Sequence, residues 1–172
     1  SPVCGVCGDG FRGFGFLRCD DGNTTPGDGC SSACEPDNQP PGGADCASPT
    51  LLALVSLDFG GGVDLLYASS SGAVVAGSDV GATCAVCDGP EAVYSFALTG
   101  TSDVEVSATG ADAVTLRSAG AGCSGAEVGC VAGTAAGIML SAPGLAAGSY
   151  LLIVDRNAST SAPDASYSVE LT

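Results

Sequence analysis

The sequence predicts an all-β chain, with a small disulfide-rich N-terminal module followed by an antiparallel β-sandwich of jelly-roll-like build. Ten cysteines fall in 172 residues, an even count that points to a disulfide framework formed in an oxidising compartment. Beyond residue 50, apolar residues alternate over short runs broken by Gly, Asp and Pro, the pattern of half-buried strands joined by turns. No segment carries an amphipathic helical stripe.

The chain divides by texture. Residues 1–35 are rich in cysteine and poor in aliphatic side chains, so covalent bridges must replace a core of ordinary size. Residues 36–45 contain Pro36, Pro40, Pro41, Gly42 and Gly43 among polar side chains and read as a linker. Residues 46–172 form the sandwich, long enough to close two sheets around one core.

Within the sandwich the alternation predicts strands at Leu51–Phe59, Val63–Ala68, Ala73–Ala76, Ala92–Leu98, Asp103–Ser107, Ala113–Arg117, Gly137–Ser141, Tyr150–Val154 and Ser166–Leu171. Tyr94, Phe96 and Leu98 share one face, as do Val104 with Val106, and Tyr167 with Val169 and Leu171. The strand aromatics Tyr94, Phe96, Tyr150 and Tyr167 are expected in the core. Phe11, Phe14 and Phe16 lie in a segment with little interior. They are expected either to cover a small local core or to present a contact surface.

Nineteen acidic residues face four arginines (Arg12, Arg18, Arg117 and Arg156), with no lysine and no histidine, for a net charge of -15. A nucleic-acid partner is disfavoured, because its phosphates need clustered cations. Anionic membrane surfaces repel such a chain for the same reason. No apolar run approaches the ~20 residues that cross a bilayer, so membrane insertion is not expected. The chain reads as a mature secreted or cell-surface product whose export signal has been removed.

The absence of histidine and lysine removes imidazole-based triads, His-containing zinc sites, Schiff-base chemistry and phosphate-loop chemistry. The carboxylate pairs Asp20/Asp21 and Asp155/Asp164 lie in turn-like stretches with little apolar cover to raise a proton donor's pKa. The expectation is therefore a non-catalytic protein.

Divalent cations are the partners that the charge favours. Between Cys19 and Cys30, Asp20, Asp21, Asn23 and Asp28 offer oxygen donors in a cysteine-bracketed loop, which predicts calcium. The competing expectation is that these side chains cap backbone N–H groups as Asx-turns. Asp79, Asp88 and Glu91 form a second, sparser acidic group. Asn23-Thr24-Thr25 and Asn157-Ala158-Ser159 satisfy the N-glycosylation pattern.

Two resemblances sharpen this reading. Cys7-Gly8-Asp9-Gly10, Cys19-Asp20-Asp21-Gly22-Asn23-Thr24 and Gly27-Asp28-Gly29-Cys30-Ser31-Ser32-Ala33-Cys34 resemble the cysteine-rich repeat of secreted and surface proteins from myxobacteria and their relatives. The resemblance implies that Cys7, Cys19, Cys30 and Cys34 pair among themselves, with three connectivities open. Leu17-Arg18 departs from the acidic pair usual before the second of these cysteines. From Cys46 onward, Gly89–Leu98, Ala113–Arg117, Leu145–Asp155 and Tyr167–Leu171 resemble the pre-peptidase C-terminal β-sandwich. Such domains are non-catalytic accessories, so this resemblance implies folding, secretion or attachment rather than turnover.

The remaining cysteines are assigned from spacing. Cys123 and Cys130 close a short loop and are expected to pair; Cys46 is expected to reach Cys84 or Cys87, with Cys4 taking the other. The two C-x-x-C units, Cys4/Cys7 and Cys84/Cys87, also match the ligand set of a structural zinc site, a less favoured alternative.

Two functions follow. In the first, the chain is a self-assembling subunit of a filament or surface structure, joined head to tail to copies of itself through unlike surfaces. In the second, it is a secreted adhesion module for carbohydrate or matrix protein; the lack of tryptophan leaves little platform for sugar stacking.

Overall fold

The computed structural model describes residues 6–10, 19–58, 64–74, 82–84, 89–119, 123–133, 136–157 and 166–172. Among these residues the fold is built of eleven strands: β1 (Asn38–Gln39), β2 (Thr50–Leu51), β3 (Val55–Asp58), β4 (Asp64–Ala73), β5 (Glu91–Leu98), β6 (Ser102–Thr109), β7 (Ala113–Ser118), β8 (Glu127–Ala132), β9 (Ile138–Leu145), β10 (Gly148–Asp155) and β11 (Ser166–Leu171). They form two packed sheets. One runs β1-β4-β11-β6-β9, with β3 also paired to β4; the other runs β2-β5-β10-β7-β8. All pairs are antiparallel except the short β1–β4 and β2–β5 ladders.

The period-two pattern explains the core. Val104, Val106 and Ala108 of β6 turn inward, while Asp103, Glu105, Ser107 and Thr109 face out. Tyr167, Val169 and Leu171 of β11 meet Tyr94, Phe96 and Leu98 of β5, and Leu152 and Val154 of β10, across the sandwich. Full burial of each such side chain contributes about 1.5–3 kcal/mol. Tyr94, Phe96, Tyr150 and Tyr167 are all buried there, as their alternation predicts.

The outer face of the five-stranded sheet is also covered. Val93, Leu151 and Ile153, which point away from the main core, are buried against Cys46 and Cys123.

Three sequence expectations are corrected by the strand order. Leu51–Phe59 is not one strand: β2 belongs to the five-stranded sheet and β3 to the other. The break has a cause. The Gln39 amide donates to the Ala53 carbonyl and accepts from the Ala53 N–H, both at 2.7 Å, which satisfies the backbone between the two strands. The serines between the expected strands Val63–Ala68 and Ala73–Ala76 are themselves strand: β4 runs through them from Asp64 to Ala73, paired with β11, and the Ser69 and Ser70 hydroxyls donate to the carbonyls of Asp37 and Pro40. Glu127–Cys130, expected to lie in a short loop closed by Cys123 and Cys130, belongs instead to β8, paired with β7.

The disulfides are Cys7–Cys34, Cys19–Cys30, Cys46–Cys123 and Cys84–Cys130, with Cα separations of 5.6, 5.9, 5.4 and 5.7 Å. The four cysteines of the N-terminal repeat thus pair among themselves. The expected Cys123–Cys130 pair is wrong, as is the expected reach of Cys46 to Cys84 or Cys87. The residues between Cys123 and Cys130 run into β8, and the two cysteines reach different partners, Cys46 and Cys84. A zinc site of Cys4, Cys7, Cys84 and Cys87 is overturned as well, since Cys7 and Cys84 are consumed in disulfides. Cys4 and Cys87 lie outside the described residues.

The cysteine module docks on the β3–β4 hairpin. Cys19, Cys30 and Cys34 form one buried cluster with Val55, flanked by Cys7, Leu57 and Tyr67. Residues 36–45 lie along the sandwich. β1 pairs with β4, Pro41 packs over Gly72, the Gly42 N–H donates to the Tyr167 hydroxyl, and Gly43 bridges to Val93. One stretch of chain therefore touches both sheets.

Candidate functional site

The loop between Cys19 and Cys30 is shaped by its own disulfide and by carboxylates that gather backbone N–H groups. Asp20 accepts from the N–H groups of Gly8 (3.1 Å), Gly10 (3.0 Å) and Gly22 (2.9 Å). Desolvation works to raise the Asp20 pKa, but these backbone donors outweigh it and hold the carboxyl below its ordinary range. Asp20 is thus engaged as a backbone cap. Asn23 is engaged too: its Oδ1 accepts from Thr25 N at 2.6 Å, and its Nδ2 donates to Asp28 Oδ2 at 2.9 Å.

Asp21 and Asp28 differ. Asp21 Oδ1 accepts the Asn23 N–H. Asp21 Oδ2 and Asp28 Oδ1 are both buried with no hydrogen-bond partner. Burial pushes the Asp21 carboxyl above its usual range, opposed by the Asn23 N–H and reinforced by the neighbouring Asp28 charge. Two like charges set side by side need a proton or a cation between them. Of the four candidate ligands, the structure therefore brings two together with oxygens to spare. Among the described residues there is no group of three or more acidic, cysteine or histidine side chains arranged to hold a metal. A bound ion would take its other ligands from carbonyls or water.

Asp37 closes the loop and was missed by sequence reasoning. Its carboxylate accepts from Gly27 N at 2.6 Å and Gly29 N at 3.0 Å. It stands among prolines, outside the repeat, and no local pattern signals a role that spans eight or ten residues.

Phe11, Phe14, Phe16, Asp79, Asp88 and Asp164 lie outside the described residues. Glu91 and Asp155 are almost fully buried and directly opposite each other on β5 and β10. Asp155 therefore ends a strand and does not sit in a turn. A cleft of about 240 Å³ opens at one end of the sandwich, between Leu54, Leu65, Leu98 and Leu171, with Ser102 and Asp103 at its polar side.

The outer face of the six-stranded sheet is polar and built of small side chains. Ser71, Ser168 and Thr109 stand in register across β4, β11 and β6, with Thr109 Oγ1 and Ser168 Oγ 2.7 Å apart. Ser69, Glu170 and Ser107 form the next row, and Tyr67 donates to Glu170 at 3.3 Å. At the far edge Met139 of β9 is 72% exposed.

No family model, curated protein or solved structure matches the chain. Among the described residues, no helix is long and apolar enough to cross a membrane. The chain is an all-β, disulfide-stabilised module with two packed sheets.

Proposed function

We propose that the chain is a non-catalytic extracellular structural protein that assembles with copies of itself into a filament or surface structure. One observation carries the reading: the six-stranded sheet ends in two unlike edges. The cysteine module packs at the β3–β4 edge, and the opposite edge is β9 with its exposed Met139. Unlike surfaces on one subunit favour heterologous contacts that propagate rather than close. The resemblance of residues 7–34 to the surface-protein repeat, and of residues 46–172 to the pre-peptidase sandwich, supports an extracellular setting.

Calcium belongs to the same proposal. Asp21 and Asp28 would hold the ion through their buried oxygens, which need a positive partner. Bound calcium would also lower the repulsion between subunits that each carry a charge of -15. Light scattering of native protein, with and without chelator, tests the assembly. The expected result is an oligomer that Met139→Glu disperses; a monomer at every protein and calcium concentration overturns it.

The second reading is adhesion, favoured by the hydroxyl rows Ser71–Ser168–Thr109 and Ser69–Glu170–Ser107 on the open sheet face. Binding of monomeric protein on a glycan array, lost on Ser168→Arg, would select it.

A further inference from the structure

Among the four bridges, Cys84–Cys130 has a different environment. Cys19 and Cys30 are at most 1% exposed, which buries both ends of their bridge, and Cys34 at 2% buries one end of the Cys7–Cys34 bridge, whose Cys7 is half-buried. Cys46 and Cys123 pack against Val93, Leu151 and Ile153. Cys84, by contrast, is exposed in a turn.

The sulfur of Cys130 is held by two donors. The Cys84 N–H points to it at 3.3 Å, and the Thr115 hydroxyl lies 3.3 Å away on the facing strand. A disulfide sulfur has no hydrogen to give, so Thr115 donates. The adjacent carboxylate, Glu127, is engaged by Arg117 at 3.4 Å and by the Thr83 hydroxyl at 2.5 Å. An exposed cysteine to attack and a leaving sulfur already held by hydrogen-bond donors are what favours thiol–disulfide exchange.

We infer that Cys84–Cys130 is an exchangeable disulfide, a site where an incoming thiol becomes covalently attached to Cys84. The thiol loses its proton to solvent and its thiolate attacks Cys84 Sγ. The Cys84–Cys130 bond breaks, and its electron pair leaves on Cys130 Sγ, stabilised by Thr115 and the Cys84 N–H. Cys130 then takes up a proton. The incoming thiol is oxidised to a mixed disulfide and Cys130 is reduced, so no other oxidant is needed. The inference is independent of the assembly and adhesion readings.

The test uses the folded full chain. Alkylation without reductant first blocks every thiol already present. Reduced glutathione is then added, the reaction is quenched with acid, and a second alkylating label marks newly released thiols for peptide mapping. The expected product carries glutathione on Cys84 and the second label on Cys130, before any label reaches Cys7, Cys19, Cys30, Cys34, Cys46 or Cys123. Thr115→Val should slow this opening about fivefold, by removing a hydrogen bond to the developing thiolate, and Thr115→Ser should restore it. Glutathione on Cys130, earlier opening of another bridge, or an unchanged rate in Thr115→Val overturns the assignment. A melting curve of each oxidised variant separates slower exchange from altered folding. Protein thiols are distinguished by repeating the reaction with reduced thioredoxin bearing a single active cysteine; capture at Cys84 there supports the same site.

Discussion

The hydroxyls of Tyr94 and Tyr167 meet at 2.5 Å inside the sandwich, one tyrosine from each sheet. Their rings cross edge to face with centroids 6.4 Å apart. Tyr94 donates onward to Ser70 at 2.9 Å, Ser70 donates to the Pro40 carbonyl at 2.7 Å, and Tyr167 accepts the Gly42 N–H at 2.9 Å. The network thus fastens both sheets to the stretch that follows the cysteine module. Tyr167→Phe leaves the Gly42 N–H unpaired and is expected to cost about 1–3 kcal/mol. Denaturant unfolding measures it. In a double-mutant cycle Tyr94→Phe and Tyr167→Phe should couple by roughly 0.5–3 kcal/mol; additive effects would contradict a shared network.

The same pair sets an alkaline limit. Burial raises the pKa of both tyrosines, and for Tyr94 the hydrogen bond with Ser70 opposes the rise while neighbouring Tyr167 adds to it. A folded-state pKa above the unfolded value gives stability that is complete below about pH 10 and declines as pH rises beyond it. The wild type should therefore lose stability above that point more steeply than a Tyr94→Phe/Tyr167→Phe variant. Unfolding midpoints from pH 8 to pH 11 provide the comparison.

At acid pH two adjacent aspartates are expected to act with opposite sign. Asp20 is held below its usual pKa by backbone donors, so its contribution is present above about pH 4 and is lost as pH falls through the folded value. Asp20→Asn is expected to cost about 1–2 kcal/mol at neutral pH, a figure kept small because the site is partly solvated.

Asp21, pushed upward by burial and by Asp28, destabilises the neutral-pH fold until it gains a proton or a cation. Asp21→Asn should raise the melting temperature in chelator and abolish any rise caused by calcium. Differential scanning calorimetry at fixed protein concentration checks both halves. A wild type indifferent to calcium would overturn the cation role of Asp21 and leave its raised pKa to burial and the neighbouring Asp28 charge.

Gly29 tests the docking of the module. Its φ of 131° is costly for any other residue, and an added Cβ would stand 2.5 Å from Val55 Cγ1. Gly29→Ala is expected to cost about 1–3 kcal/mol. It should also increase proteolysis within residues 19–45 before the sandwich yields.

Strand faces were legible because period two is a local property. Alternation in Ser102–Thr109 and Ser166–Leu171 places each side chain without knowledge of its partner. The cysteine pairs beyond residue 45 were not legible, since Cys46 and Cys123 are 77 residues apart and meet only through the covering of the outer sheet face. Gln39 was hidden for a similar reason. A glutamine in a proline-rich stretch looks solvated, and only the fold shows its amide replacing a strand partner for Ala53. At the loop, the four oxygen-bearing residues were readable, but their division between capping and facing one another depended on which glycine N–H groups the chain brought back to Asp20.

β11 lies between β4 and β6, in the interior of its sheet, although it contains residues 166–171. As the chain emerges from the ribosome, two neighbouring strands must therefore wait for one that is made after both of them. Until it arrives, β4 and β6 each present a row of unsatisfied N–H and C=O groups that another nascent chain can pair with. Production in cells is accordingly limited by timing as well as by stability, and a truncated product lacking β11 should be recovered as aggregate even when every disulfide-forming cysteine is retained.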